Sequence, residues 1–223
     1  MAEQIGFEPS PNEFAENPEP RIPCILLVDT SGSMQGEPIR QLNEGLIVYK
    51  DACFADPLAA KRVEAAVVTF GGTVETQVDF STITNFTPPQ LEAGGDTPMG
   101  SAIMHAIEMV KKRKETYKAN GISYYRPWIF MITDGGPTDA WTTAAAEVRK
   151  GEDAKSFCFF AVGVEGANFE VLKQLCTREP LKLQGLEFRK MFLWLTASQK
   201  AVSISNPGEA VALPNPTGWA TTG

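Results

Sequence analysis

The chain has 223 residues, 43% of them hydrophobic and 21% charged, the make-up of one large globular domain with a single core, which excludes a disordered polymer. Its longest apolar runs, IPCILLV and MFLWL, fall far short of the roughly 18 residues that a membrane span needs. The formal net charge of −7 disfavours nucleic acid and anionic membrane surfaces, which are held by lysine and arginine neutralising phosphates, so a protein partner fits best.

Residues 1–20 carry five glutamates, four prolines and no basic residue. Pro9, Pro11, Pro18 and Pro20 oppose helix and central strand, and the acidic start is the opposite of a signal peptide. An acidic, proline-rich arm is expected there, ahead of a folded domain over 21–204 in a cytoplasmic protein. Residues 22–28 form a continuous apolar run of strand length, as in a parallel sheet covered on both faces. Ile39, Leu42, Leu46 and Tyr49 or Lys50 then recur at helical spacing. A second strand over 63–70 is joined to a third over 74–80 by Gly71-Gly72, which leaves no room for a crossover helix, so the third must run antiparallel. Pro98 opens a helix with the stripe Ile103, Ala106, Ile107 and Val110. Three strand-and-helix units follow, at 128–133 with 138–150, 157–164 with 168–176, and 181–186 with 188–199. This alternation predicts a mostly parallel α/β sheet of six strands flanked by helices. From residue 205 to 223 prolines and glycines indicate an extended tail, able to fold back on the domain. Cys24, Cys53, Cys158 and Cys176 are widely spaced, with no Cys-x-x-Cys pair, and are expected to be buried free thiols.

The residues with chemistry lie where apolar strands end. VDTSGSM at 28–34 supplies Asp29, Ser31 and Ser33; GGDTPMG supplies Thr97 just before a helix; FMITDGG puts Asp134 at the end of another buried strand. In an open α/β sheet, residues beyond the carboxyl ends of the strands share one crevice. If the strands at 22–28 and 128–133 are neighbours, all five oxygens meet. Singly, each has a plainer explanation: Ser31, Ser33 and Thr97 as helix caps, Asp134 as a turn residue. Together they are five hard oxygen ligands without cysteine or histidine, a set that suits Mg²⁺ or Mn²⁺ rather than zinc.

Asp-x-Ser-x-Ser at Asp29, Ser31 and Ser33, with Thr97 and Asp134 downstream, resembles the metal-ion-dependent adhesion site of von Willebrand factor A domains. The likeness follows the order of elements over about 21–199 and implies a doubly wound sheet of order 3-2-1-4-5-6. It also implies that Ser31 and Ser33 bind the metal directly, Thr97 directly or through water, and Asp29 and Asp134 mostly through water. More narrowly, YYRPWIFMITDGGPTDA and FLWLTASQKAVS are similar to bacterial TerY-like proteins associated with tellurium resistance. That likeness implies a stress-response setting, with a protein kinase and a metal-dependent protein phosphatase as partners.

Mg²⁺ takes six oxygens, and this set supplies few direct anionic ones, so a glutamate or aspartate of a partner can replace a bound water. The expected function is therefore a metal-dependent protein-binding module and not an enzyme. Two rival readings stand beside it. A Mg²⁺-dependent phosphatase of the haloacid dehalogenase kind would use Asp29 as nucleophile, but it needs a second aspartate where this chain has Ser31. Alternatively the domain is a scaffold whose metal site is idle. His105, the single histidine, is expected to face solvent on the helix after Pro98. The run KKRKETYK from Lys111 reads as a solvated helix end, favoured by the helix dipole. Asp96 and Asp139 read as turn and helix-start residues, Trp128 and Trp194 as core, and Trp141 and Trp219 as candidate exposed contacts.

Overall fold

The computed structural model describes Phe14 and residues 17–222; the arm expected over 1–20 lies mostly outside them. One sheet runs in the order β3-β2-β1-β4-β5-β6-β7. At its centre, β1 (Ile22–Asp29) is buried along its whole length, parallel to β2 (Val63–Gly71) on one side and to β4 (Trp128–Thr133) on the other. Because successive side chains alternate across a strand, a run with no polar position needs cover on both faces. Cys24, Leu26 and Val28 face α1 (Glu37–Phe54) and α6 (Phe188–Ser203) through Leu46, Tyr49, Phe188 and Phe192. Ile25 and Leu27 face the opposite layer, which is α3 (Met99–Ala119), α4 (Thr142–Asp153) and α5 (Phe169–Leu175). A short helix, α2 (Pro57–Arg62), is capped by the Asp56 carboxylate and leads into β2.

β3 (Thr73–Thr82) pairs antiparallel with β2, as the two-glycine link requires. Gly72 makes that turn at φ +73°, a backbone region that costs other residues steric strain. Beyond β4, β5 (Cys158–Gly163) and β6 (Leu181–Leu183) continue in parallel.

The expected count of six strands is one short. The tail returns as β7 (Ala220–Thr222), antiparallel on β6, so the edge strand's hydrogen-bonding groups are paired. Trp219 anchors that return: it is 2% exposed, its ring lies 5.2 Å from that of Trp194, and Trp194 Nε1 donates to Pro214 O at 2.7 Å. It is core and not an exposed contact, and Trp141 is half-buried against the α3 and α4 layer. β6 stops at Leu183 rather than at 186, because Gly185 turns the chain at φ +54° and Glu187 N donates back to Gln184 O at 3.2 Å.

The KKRKETYK run is also more than a solvated helix end. Arg113 and Tyr117 turn inward at the start of the strands, where Glu64 accepts from Arg113 Nε at 2.8 Å, Arg21 Nε at 3.0 Å and the Tyr117 hydroxyl. Lys111, Lys112 and Lys118 do stay exposed, as does His105, which lies 2.8 Å from Thr76 Oγ1. All four cysteines are free, Cys158 being half-buried and the others buried. Among the described residues no helix is long and apolar enough to cross a membrane.

Candidate metal centre

β1 delivers Asp29 to the carboxyl edge of the sheet. The chain then turns back on itself, because Ser31 N donates to Asp29 Oδ1 at 2.8 Å, the side-chain-to-backbone bond that aspartate makes two residues on. A single 3-10 turn at Gly32–Met34 follows and swings Ser33 over the edge. Ser31 Oγ and Ser33 Oγ stand 3.1 Å apart, and Ser33 Oγ donates to Asp134 Oδ1 at 2.8 Å. Asp134 follows the last residue of β4. Since Val28 pairs with Ile132, the next residue on each strand is also adjacent, and Thr133 Oγ1 donates to Asp29 Oδ2 at 2.6 Å.

Thr97 comes from the loop before α3. Its N–H donates to Thr138 Oγ1 at 3.1 Å, and its carbonyl accepts from Thr138 N at 2.9 Å, which ties it to the segment after Asp134. Gly135 marks where the pieces converge: a methyl group added there would stand 3.6 Å from Thr97 Oγ1 and 4.0 Å from Asp29 Oδ2. The preceding loop is stitched to β1 and the hairpin by Gly94 N to Thr30 O, Gly32 N to Gly95 O and Gly72 N to Asp96 O, at 2.7, 3.0 and 2.8 Å. Gly95, at φ +76°, crosses Gly72 so closely that a Cβ would lie 2.6 Å from its backbone. Thus Asp29, Ser31, Ser33, Thr97 and Asp134 gather at one place, Ser33 exposed and the others buried.

Burial pushes the Asp29 carboxyl above its usual range, against the lowering effect of the Ser31 and Thr133 bonds, and the Asp134 charge adds to the rise. Asp134 is raised by burial too, with the Ser33 bond opposing. Among the described residues the donors to both, Ser31 N, Ser33 Oγ and Thr133 Oγ1, are neutral. Two buried carboxylates with hydroxyl neighbours and, among the described residues, no cationic partner form an electrostatic environment that a small hard cation would relieve. Among the described residues no group of three or more His, Cys, Asp and Glu side chains is placed to hold a metal, so an ion here would meet two carboxylates and three hydroxyls.

Asp139 does not begin α4, which starts at Thr142 and not at 138. Residues 138 and 139 instead turn towards α3: Asp139 accepts from Gly100 N and Ser101 N at 2.8 Å and from Ser101 Oγ at 2.7 Å. It caps a helix from another segment. Burial raises its carboxyl, but the Ser101 and Gly100 bonds outweigh that and hold it below the ordinary range. A depressed carboxyl stabilises the fold above its unfolded pKa and ceases to as the pH falls through the folded one. Asp139→Asn, which removes the charge at the start of α3, is therefore expected to cost about 0.5 kcal/mol at neutral pH, with the deficit closing below about pH 3.9. Paired urea titrations at both pH values check this, and a pH-independent deficit would leave only a packing role. Asp96 is exposed in the loop before α3, where its carbonyl accepts from Gly72 N. Thr133 and Thr138, which hold Asp29 and Thr97, escaped the sequence reading, since their roles depend on strand register and on a cross-loop pairing with no motif of its own.

A von Willebrand factor type A domain model matches residues 24–185, a span that contains all five oxygen residues. No curated protein is similar enough in sequence to count as a relative. Proximal thread matrix protein 1 from the mussel byssus superposes with a TM-score of 0.59 at 18% identity, over 82% of this chain and 49% of that one. For the pilus adhesin SpaC from Lactobacillus rhamnosus GG the values are 0.67 and 12%, over 84% and 31%. For the ArnB paralog VWA2 from Sulfolobus acidocaldarius they are 0.53 and 17%, over 80% and 45%. This chain spans less than half the length of each, and at these identities the likeness is one of fold. The mussel protein has also been solved with a zinc-occupied MIDAS motif. With a model match over most of its length, this chain belongs to the von Willebrand factor type A domain family.

Proposed function

We propose that this chain is a protein-binding module in which Asp29, Ser31, Ser33, Thr97 and Asp134 hold a divalent cation, Mg²⁺ or Mn²⁺, for a carboxylate of a partner protein. The observation that carries this reading is the convergence of three distant chain segments on one oxygen cluster whose two buried carboxylates, among the described residues, receive bonds from neutral donors alone. The bound ion would supply a Lewis-acidic coordination position that an acidic side chain can fill. Ser31 and Ser33 are assigned as direct ligands, Thr97 as direct or water-bridged, and Asp29 and Asp134 as carboxylates that orient bound water. Zinc at the equivalent motif of the mussel protein supports a divalent ion, while the all-oxygen donor set favours a harder one.

Binding fits these residues better than hydrolysis. A phosphatase built on Asp29 needs an acid and base at position 31, where Ser31 Oγ is already engaged with Ser33 Oγ at 3.1 Å. Mg²⁺-dependent turnover of p-nitrophenyl phosphate is expected to be absent, and turnover abolished by Asp29→Asn would replace the binding reading with an enzymatic one. By resemblance to TerY-like proteins we assign the module to a cytoplasmic bacterial tellurium-resistance or stress system, with a kinase and a metal-dependent protein phosphatase as partners. Affinity capture from the native cell tests this. The partners should be retained with Mg²⁺ and released by chelator, and equal retention in both would favour an idle site.

A further inference from the structure

Beside the metal centre, on the same edge of the sheet, lies a polar pocket of about 300 Å³ lined by Thr30, Thr69, Gly71, Glu75, Gln77 and Glu92 among others. It adjoins the candidate ligands directly, since Thr30 stands between Asp29 and Ser31. Thr30 is only 6% exposed, and its hydroxyl makes no hydrogen bond among the described residues. That hydroxyl points at the pocket wall: a Cβ on Gly71 would lie 2.5 Å from Thr30 Oγ1. The residue is nearly buried while its hydroxyl keeps access to solvent on the pocket side, a group that a ligand entering there can satisfy.

The remaining wall is rich in acceptors and held in place. Glu75 accepts from Thr73 Oγ1 at 2.8 Å and from Gln77 Nε2 at 3.1 Å, and Gln77 Nε2 also reaches Thr69 Oγ1 at 3.2 Å. Glu92 adds a second carboxylate, and among the described residues no lysine, arginine or histidine lines the pocket. A partner that brings a carboxylate to the cation must therefore pass an acidic rim, which repels a purely acidic segment and attracts one of mixed sign.

We propose that this pocket receives a lysine or arginine side chain of the partner, placed within about two residues of the carboxylate offered at the metal centre. The inference rests on the metal-dependent reading above and adds to it a second, sign-selective contact. An ammonium or guanidinium there would donate to Glu75, Glu92 and the Thr30 hydroxyl. Partners would then be chosen by an acid and a base close together in sequence.

Selection from a random peptide library on the whole chain, in Mg²⁺ and in chelator, reads this out. Mg²⁺-dependent binders are expected to carry Asp or Glu with Lys or Arg close by. Glu75→Gln combined with Glu92→Gln should weaken the best such peptide about tenfold and remove the preference for the base, leaving the need for the acid and the thermal response to Mg²⁺ intact. Thr30→Val, which keeps the shape and removes the hydroxyl, should weaken it less. Acidic binders without any neighbouring base, or a preference for the base that survives the double variant, would overturn the pocket while leaving the metal reading in place. Absence of any Mg²⁺-dependent acidic binder would overturn the metal reading, and the pocket with it.

Discussion

Saturating Mg²⁺ is expected to raise the melting temperature of the chain by about 5–10 °C, and Asp29→Asn to abolish the rise. A ligand that binds only the folded state at about one hundred times its Kd contributes ~2.7 kcal/mol, and a domain of this size gains about 2–4 °C per kcal/mol. The stabilisation is specific to the fold because Asp29 and Asp134 are brought together only there, 105 positions apart in the chain. Burial raises both carboxyls, so their ionisation costs more in the folded chain than in the unfolded one and opposes folding at neutral pH when no cation is present. Removing the Asp29 charge should therefore leave the metal-free protein no less stable while deleting its response to the ion. Scanning calorimetry with Mg²⁺ and with chelator separates the two effects. An undiminished rise in Asp29→Asn would place the cation elsewhere, and no rise in the unaltered chain would remove it altogether.

The same five residues show what a sequence can and cannot disclose. Asp29, Ser31 and Ser33 were legible because they end an apolar strand at a spacing that a turn converts into proximity, and Asp134 because it ends another. That these strands are neighbours is a fact of tertiary pairing, and only the β1 to β4 register puts Thr133 against Asp29. The antiparallel β3 was legible from Gly71-Gly72, whose brevity permits one topology. β7 was not, since three residues within a proline-containing tail carry no periodicity, and what positions them is the packing of Trp219 on Trp194. α4 was placed four residues early because Thr138 and Asp139 suit a helix start locally, whereas their hydrogen bonds go to Thr97 and to the first turn of α3. KKRKETYK misled for a related reason. A helical run of charge looks solvated until one knows which face meets Glu64.

That inward face carries the second large expectation. Glu64→Ala is expected to destabilise the fold by about 3–5 kcal/mol, or about 6–20 °C in melting temperature. Glu64 and Arg21 are both 0% exposed, and Arg113 is almost fully buried. Removing the carboxylate leaves two guanidiniums that have lost their shared counter-charge in a medium that solvates ions poorly. The Tyr117 hydroxyl, whose ionisation burial and then Glu64 oppose, loses its acceptor as well. The cost thus comes from stranded partners and not from the lost contact itself, which makes it non-additive. Arg21→Ala should be damaging alone, yet the Glu64→Ala, Arg21→Ala double variant should fall short of the sum of the single losses by at least about 1 kcal/mol. Urea unfolding of all four proteins supplies the cycle. Strict additivity would mean that the two side chains stabilise the fold independently, through packing alone. Because Glu64 lies at the start of β2 and Asp29 at the end of the neighbouring β1, these variants should also keep their response to Mg²⁺, so loss of fold and loss of site are measured apart.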